Sequence, residues 1–302
     1  NRTRDDVDEV VKSGAVGAET IEDLVSKLKK NSSLREAIAT KQSNSSKEIA
    51  TGPSDPRNDG VVVWLMLPAG EVTDEYIDKL LPLLSPQDLI VDGANSFYKD
   101  TLRRAERIKP TNIHFMDIGV SGGPSGARNG ACMMIGGEAE DVARVMEIVK
   151  AASAPEAFGH FGPAGAGHFA KMVHNGIEYG MMEAIGEGAA ILKFGPFKLD
   201  LVEIFRVYNH RSVIESRLVG WTQKALSEDP DLKSTSSEIK STGEGEWTIK
   251  TAKDLGVETP VIEDSFKVRQ NSANDPENSP AGFRNKVVSA QRGKFGQHPV
   301  KK

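Results

Sequence analysis

Only one cysteine, Cys132, occurs in 302 residues, so neither an internal disulfide nor a cysteine-rich zinc site can form. A small scaffold stapled by disulfides or metal is excluded, and a reducing compartment, the cytoplasm, is the expected setting. Long apolar runs are also missing. The longest, Val61 to Leu67, falls far short of the roughly 18 residues that a membrane-spanning helix needs, so no membrane role is expected. Positive charge is not in excess: 38 Lys and Arg stand against 43 Asp and Glu, a net charge of -5, which argues against a strongly basic nucleic-acid binder. The first ten residues, NRTRDDVDEV, are charged from the outset and do not read as a secretory leader. Position 1 is Asn and not Met, so the chain is expected to begin inside a longer protein.

What is present is an ordinary globular composition, 38% hydrophobic and 27% charged, in a length that at roughly 150 residues per domain gives about two domains. The first 160 or so residues alternate short apolar runs with helical patterns, the signature of a parallel sheet covered by helices. Val61 to Leu67, Leu89 to Asp92, His114 to Ile118 and Ala131 to Ile135 read as buried strands. Thr20 to Lys30, Glu71 to Leu84, Phe97 to Ile108 and Glu138 to Ala152 read as amphipathic helices, the first opening on a hydroxyl cap and closing on lysines. The polar stretch Asn31 to Gly60 reads as an insertion with one short helix at Leu34 to Ala39. After residue 162 strand patterns vanish. His168 to Lys193 reads as one long helix, followed by helical patterns at Leu199 to Leu226, Trp247 to Leu255, Val261 to Ser272 and Gly282 to Gln291. The last 22 residues carry Arg284, Lys286, Arg292, Lys294, Lys301 and Lys302 with no acid, either a solvated tail or an anion-binding arm.

The long helix carries the informative constellation. At roughly 100° per residue, Lys171, His174, Asn175 and Glu178 fall within one stripe, with Tyr179 at its edge. Met172, Val173 and Ile177 fill the rest of the wheel with apolar groups, so the polar stripe is expected to line a cleft and not to face bulk water. Lys171 and Glu178 lie about 10 Å apart along the axis, far enough to work on opposite ends of one small substrate. A desolvated lysine can act as a base near neutral pH, and a partly buried glutamate can hold a proton and act as an acid.

Lys171-x-x-His174-Asn175-x-x-Glu178-Tyr179 resembles the active-site helix of the decarboxylating 6-phosphogluconate dehydrogenases, within the β-hydroxyacid dehydrogenase superfamily. Four more stretches agree in order: Asp92-Gly93-Ala94-Asn95-Ser96; Gly119-Val120-Ser121-Gly122-Gly123 with Gly126-Ala127-Arg128 and Gly136-Gly137; Thr242 to Thr248; and Gln291 to His298. The resemblance covers nearly the whole chain apart from the insertion, and its brevity after the long helix points to the short-chain branch.

The resemblance implies a Rossmann-like parallel-sheet domain over 1–162, incomplete at its N-terminus and carrying the 31–60 insertion. An all-helical substrate and dimerisation domain over 163–302 would follow it. It also implies a reaction: oxidative decarboxylation of 6-phosphogluconate to ribulose 5-phosphate with reduction of NADP, or alternatively NAD, in the pentose phosphate pathway. Lys171 would be the base and Glu178 the acid, and no metal is required because a protonated lysine can stabilise the developing enolate. Asn95, Ser121, Gly122, Gly123, His174 and Asn175 would hold the sugar acid, Tyr179 and Arg292 would hold its phosphate, and His298 would also bind substrate. Asn1, Arg2, Thr3, Leu67, Pro68, Ala69 and Asn95 would contact the dinucleotide, Arg2 favouring the 2′-phosphate. In the family, the arm bearing Arg292 and His298 comes from the neighbouring subunit, so a homodimer or larger homo-oligomer is expected.

The sequence departs from the family in three places. No Gly-x-Gly-x-x-Gly opening precedes Asn1, so the chain starting there is expected to bind dinucleotide weakly and to leave a sheet edge unpaired. Thr242 stands where long-chain relatives place a lysine, and Glu215 where they place an arginine, with Arg217 two residues on. Two other readings compete: a dehydrogenase of another 3-hydroxy acid, and a catalytically inactive dimeric interaction protein.

Overall fold

The computed structural model describes residues 4–30, 60–240, 243–296 and 300. The insertion read over Asn31 to Gly60, with its short helix at Leu34 to Ala39, therefore lies outside the described residues except for Gly60. Two helices come first, α1 (Arg4–Lys12) and α2 (21–30). α2 starts where the sequence places it, because the Thr20 hydroxyl accepts the Asp23 amide at 3.1 Å while Asp23 reaches back to the Glu19 amide.

The sheet is built from β1 (Val62–Leu65), β2 (Leu89–Asp92), β3 (His114–Ser121), β4 (Ala131–Gly136) and β5 (Ser153–Gly162), adjacent in that order. Helices α3 (Glu71–Leu80), α4 (Tyr98–Ile108), α5 (Gly123–Asn129) and α6 (Ala139–Ala152) connect them. Leu89, Val91, Met116 and Ile118 pack on one face with Val142, Val145 and Val149 of α6. Ile90 and Phe115 pack on the other with Ile77, Leu80 and Ile108. Burial on both faces explains why these strands read as continuous apolar runs and not as alternating ones.

Two features of the sheet depart from the sequence reading. The pairs β1–β2, β2–β3 and β4–β5 are parallel, whereas β3–β4 is antiparallel. The connection from Gly122 to Gly130 holds only the seven-residue α5, too short for the dozen or more residues a parallel crossover takes. β5 itself was not foreseen. It pairs with β4 alone among the described strands, is largely half-exposed, contains Pro155 and is bulged, with Glu156 at φ 60°. An edge strand tolerates such residues, and they erase its apolar signature.

Residues 163–165 lead from β5 into α7 (Ala166–Phe194), 29 residues and so about 43 Å long. Its first turn is held from the sheet: the buried Asp117 carboxylate of β3 accepts the amides of Gly165 (2.5 Å) and His168 (2.6 Å). α8 (Leu201–Tyr208), α9 (Arg217–Glu228), α10 (Glu244–Leu255), α11 (Pro260–Asn271) and α12 (Pro280–Gly296) complete the chain. The stretch Leu199 to Leu226, read as one helical pattern, is broken between α8 and α9. Asn209 accepts the Ser216 amide, and Ser216 caps α9 through the Val219 amide, so polar side chains take the amides a continuous helix would use.

Ala189, Phe205, Val219, Leu226 and Val287 form the core of this half. The basic C-terminal run is neither tail nor loose arm through residue 296. It is α12, packed along α7, with Lys286 and Arg292 both 5% exposed. Among the described residues no helix is long and apolar enough to cross a membrane.

Candidate active site

The polar stripe of α7 opens onto a cleft of about 650 Å³ between the sheet and the helical half. α7 lies close to β3 because position 119 is glycine: a β-carbon there would stand 2.4 Å from that of Lys171. The lysine is thereby held against the sheet and is 7% exposed. Its Nζ donates to Asn175 Oδ1 at 2.5 Å, and the same oxygen lies 2.9 Å from His174 Nδ1. His174 Nε2 is 3.2 Å from the Ser121 hydroxyl at the end of β3. In the tautomer that donates from Nδ1 to Asn175, Nε2 accepts from Ser121, so one chain of hydrogen bonds runs from the sheet to the amine.

The charges in this cleft are shifted in useful directions. Burial pushes the Lys171 amine below the ordinary lysine value, partly offset by Glu244 and Glu178. Burial likewise pushes the Glu178 carboxyl up, partly offset by Lys171, Arg269 and Arg292. His174 is pushed down by burial and by the neighbouring Lys171, which keeps the imidazole neutral at pH 7. A base and an acid with affinities drawn toward neutrality therefore share one helix face.

Asn95, Ser121, Gly122, Gly123, Lys171, His174, Asn175, Glu178, Tyr179 and Arg292 all line this cleft. Asn95 is turned inward: its amide donates to the Val120 carbonyl (3.0 Å) and accepts the Val120 amide (2.7 Å), tying the end of β2 to that of β3. Gly122 and Gly123 have φ of 124° and 56°, a turn that side chains resist. Ile177, expected to pack, is instead 54% exposed at the rim, because it sits at the border of the stripe and not opposite it.

Arg292 stands on α12 of the same chain, beside Tyr179, so the arm expected from a neighbouring subunit supplies this arginine in cis. The physical reason is that α12 runs along α7 and buries Val287 and Val288 within the chain's own core. Arg217 borders the cleft and lies over Trp221, whereas Glu215 faces a separate apolar groove.

Arg269 was not foreseen. It is 3% exposed, and its guanidinium carbon lies 3.3 Å from the Tyr179 ring centroid. Burial and Arg292 lower its proton affinity, to a pKa of about 10, against the opposing pull of Tyr179, Glu178 and Glu183. Nothing local marks it in the sequence: an arginine near the end of a short helix is common, and only the packing of α11 on α7 brings it here.

Leu67, Pro68 and Ala69 follow β1 and do not line the cleft. Asn1, Arg2, Thr3, Thr242 and His298 lie outside the described residues. Behind that loop, the fully buried Arg104 donates to Asp74, Asp92, Ser96 and the Gly70 carbonyl, joining the ends of β1 and β2. Among the described residues, no group of three His, Cys, Asp or Glu side chains could hold a metal ion.

Comparison with known proteins places this geometry. Residues 1–162 match the family model for the NAD binding domain of 6-phosphogluconate dehydrogenase, and residues 167–296 match that for its C-terminal domain. The chain is 43% identical over 241 residues to YqeC of Bacillus subtilis, a candidate 6-phosphogluconate dehydrogenase, covering 80% of this chain and 79% of that one. It is 36% identical over 250 residues to the NAD(+)-dependent decarboxylating 6-phosphogluconate dehydrogenase of Haloferax volcanii, covering 82% of this chain and 80% of that one. Among solved structures it resembles 6-phosphogluconate dehydrogenase of Plasmodium falciparum, described with NADP+ and with 6-phosphogluconate. The TM-score is 0.71 at 28% identity, over 96% of this chain and 64% of that one. With both halves matched and the Lys171 cleft lying between them, the chain belongs to the 6-phosphogluconate dehydrogenase family.

Proposed function

We propose that this chain oxidatively decarboxylates 6-phospho-D-gluconate to D-ribulose 5-phosphate and CO2, reducing NADP, as a step of the pentose phosphate pathway in the cytoplasm. The observation that carries this reading is the cleft itself. A buried lysine and a half-buried glutamate share one helix face, and two arginines and Tyr179 gather near the glutamate end. Residues 1–162 would serve the dinucleotide, and 163–302 the sugar acid and subunit contact.

Lys171, whose burial lowers its hold on a proton, takes in its neutral form the proton of the C3 hydroxyl. The bound dinucleotide supplies a hydride acceptor for C3. The lysine, now a cation, donates to the new carbonyl oxygen while the C1–C2 bond breaks and CO2 departs. Glu178 then delivers a proton to the former C2 of the enediol, and the electron pair of its double bond forms the new C–H bond. Ser121, Gly122, Gly123, His174 and Asn175 orient the carboxylate and hydroxyls. Tyr179, Arg269 and Arg292 receive the phosphate, a dianion for which guanidinium groups are bidentate partners. His298 would join them.

The residues present fit a dinucleotide beside Asn95. Met66 is 64% exposed, and a β-carbon on Gly70 would meet no atom within 4 Å, so an open apolar ledge lies at the carboxyl ends of β1 and β2. Leu67, Pro68 and Ala69 form that ledge, with Asn1, Arg2 and Thr3 proposed for the adenosine end and Arg2 for a 2′-phosphate. A homodimer or larger homo-oligomer is supported by the apolar surface of the helical half. Ile191, Phe194, Phe197 and Val213 are 73%, 50%, 71% and 105% exposed.

The test is stoichiometric. Incubation with 6-phosphogluconate and NADP or NAD should release one CO2 per dinucleotide reduced, and Lys171→Met should abolish both while substrate binding stays measurable by calorimetry. Dinucleotide reduction without CO2, or turnover retained in Lys171→Met, would defeat the reading.

A further inference from the structure

Two charged groups of the cleft, Arg217 and Glu244, have no part in the mechanism above, and Glu244 is the one that bears on Lys171. α10 begins at Glu244, and its first turn meets α7 with almost no side chain between them. A β-carbon on Gly245 would stand 2.5 Å from the Tyr179 ring, and one on Gly176 2.6 Å from Thr248 Cγ2. The Thr248 hydroxyl closes the contact by donating to the Met172 carbonyl at 2.8 Å. Backbones packed this closely fix the start of α10 over the catalytic face, and Glu244 lines the same cleft as Lys171, His174 and Arg292. The titratable and charged groups of the cleft around Lys171 are then His174, Glu178 and Tyr179 of α7, Cys132 of β4, Arg217 of α9, Glu244 of α10, Arg269 of α11 and Arg292 of α12.

We propose that Glu244 is the electrostatic partner of Lys171, a positioning residue that sets how tightly the amine holds its proton. The role of Lys171 as base belongs to the reading given under Proposed function, but the coupling between the two side chains does not depend on it. Glu244 opposes the effect of burial on Lys171 more strongly than Glu178 does, and it also bears on His174 and Arg292. The first turn of a helix is a favourable place for a carboxylate. The two acids thus divide the work: Glu244 answers the lysine, and Glu178 stands at the far end to move a proton.

Competitive labelling with acetic anhydride across pH reads the Lys171 proton equilibrium in the substrate-free full chain, with no turnover required. Removing a negative charge at cleft distance in Glu244→Gln should lower the labelling midpoint of Lys171 by about one pH unit. Glu244→Asp, which keeps the charge, should restore most of that shift, and Glu178→Gln should shift the midpoint less than Glu244→Gln. An unmoved midpoint in Glu244→Gln, or a larger shift from Glu178→Gln, overturns the proposal. Should the wild-type chain fail to oxidise 6-phosphogluconate, the reaction is wrong, while the labelling result still decides the role of Glu244.

Discussion

Asn95 pairs with the Val120 peptide as one strand pairs with another, its side-chain amide donating to the carbonyl and accepting from the N–H. This reciprocal pair closes the gap between β2 and β3 where the cleft begins, and Asn95 adopts a left-handed φ of 52° to make it. Asn95→Ala should lose about 1–2 kcal/mol of stability and about tenfold or more in kcat/KM, because the cleft wall is no longer held. Asn95→Gly relieves the backbone strain without restoring the amide. Equal kcat/KM in wild type and Asn95→Gly would show that the clasp has no part in turnover.

Arg269 and Arg292 line the cleft with Tyr179, at the end proposed above to receive the phosphate. Replacing either with Ala should raise KM for 6-phosphogluconate by about 10–100-fold, the value of a charge-assisted bond, with a smaller effect on unphosphorylated gluconate. Steady-state kinetics on the two substrates measure the difference. A uniform loss on both would assign the arginines to the fold and not to phosphate.

Glu183 is 5% exposed, and neither of its carboxylate oxygens accepts a hydrogen bond among the described residues, although Arg284 Nε lies 3.1 Å away. Burial raises its pKa from 4.5 to about 7. Between those values the folded protein holds a proton that the unfolded chain has released, so stability falls as pH rises from 4.5 to about 7 and levels off above. The full effect is on the order of 3 kcal/mol at most. Glu183→Gln should remove it, so its melting temperature relative to wild type should be higher at pH 8 than at pH 5. A pH-independent difference would mean that Glu183 does not titrate in this range.

Arg104 is fully buried and answers two carboxylates, Asp74 and Asp92, in one guanidinium. Arg104→Met should cost about 3–5 kcal/mol, read by urea denaturation, since it strands Asp92 without a counter-charge. Arg104→Lys should recover little of this, because an ammonium cannot span the four partners. Near-wild-type stability in the lysine variant would contradict that geometry.

Much of this was legible in one dimension because its causes are local. The stripe from Lys171 to Tyr179 follows from helical period alone, and β2 and β3 announce themselves by continuous apolar residues. What escaped depends on distant partners. Arg269 enters the cleft only through the packing of α11 on α7, and its close contact with the Tyr179 ring has no sequence spacing to betray it. β5 is an edge, where a proline, a bulge and exposed residues cost little and leave no pattern. The antiparallel turn of the sheet at β4 was readable in principle from the short span between Ser121 and Ala131. Asn95 shows a subtler gap: its neighbours mark it as a loop residue of the cleft, but not that its amide is already engaged with Val120.

Arg292 and Lys171 reach one cleft from a single polypeptide, which has a genetic corollary. If the chain assembles and turns over as proposed, two crippled alleles, one without the lysine and one without the arginine, should not lend each other the missing group when co-expressed, since every centre would lack one of the two. Complementation between such alleles would instead require subunits that trade their last helix.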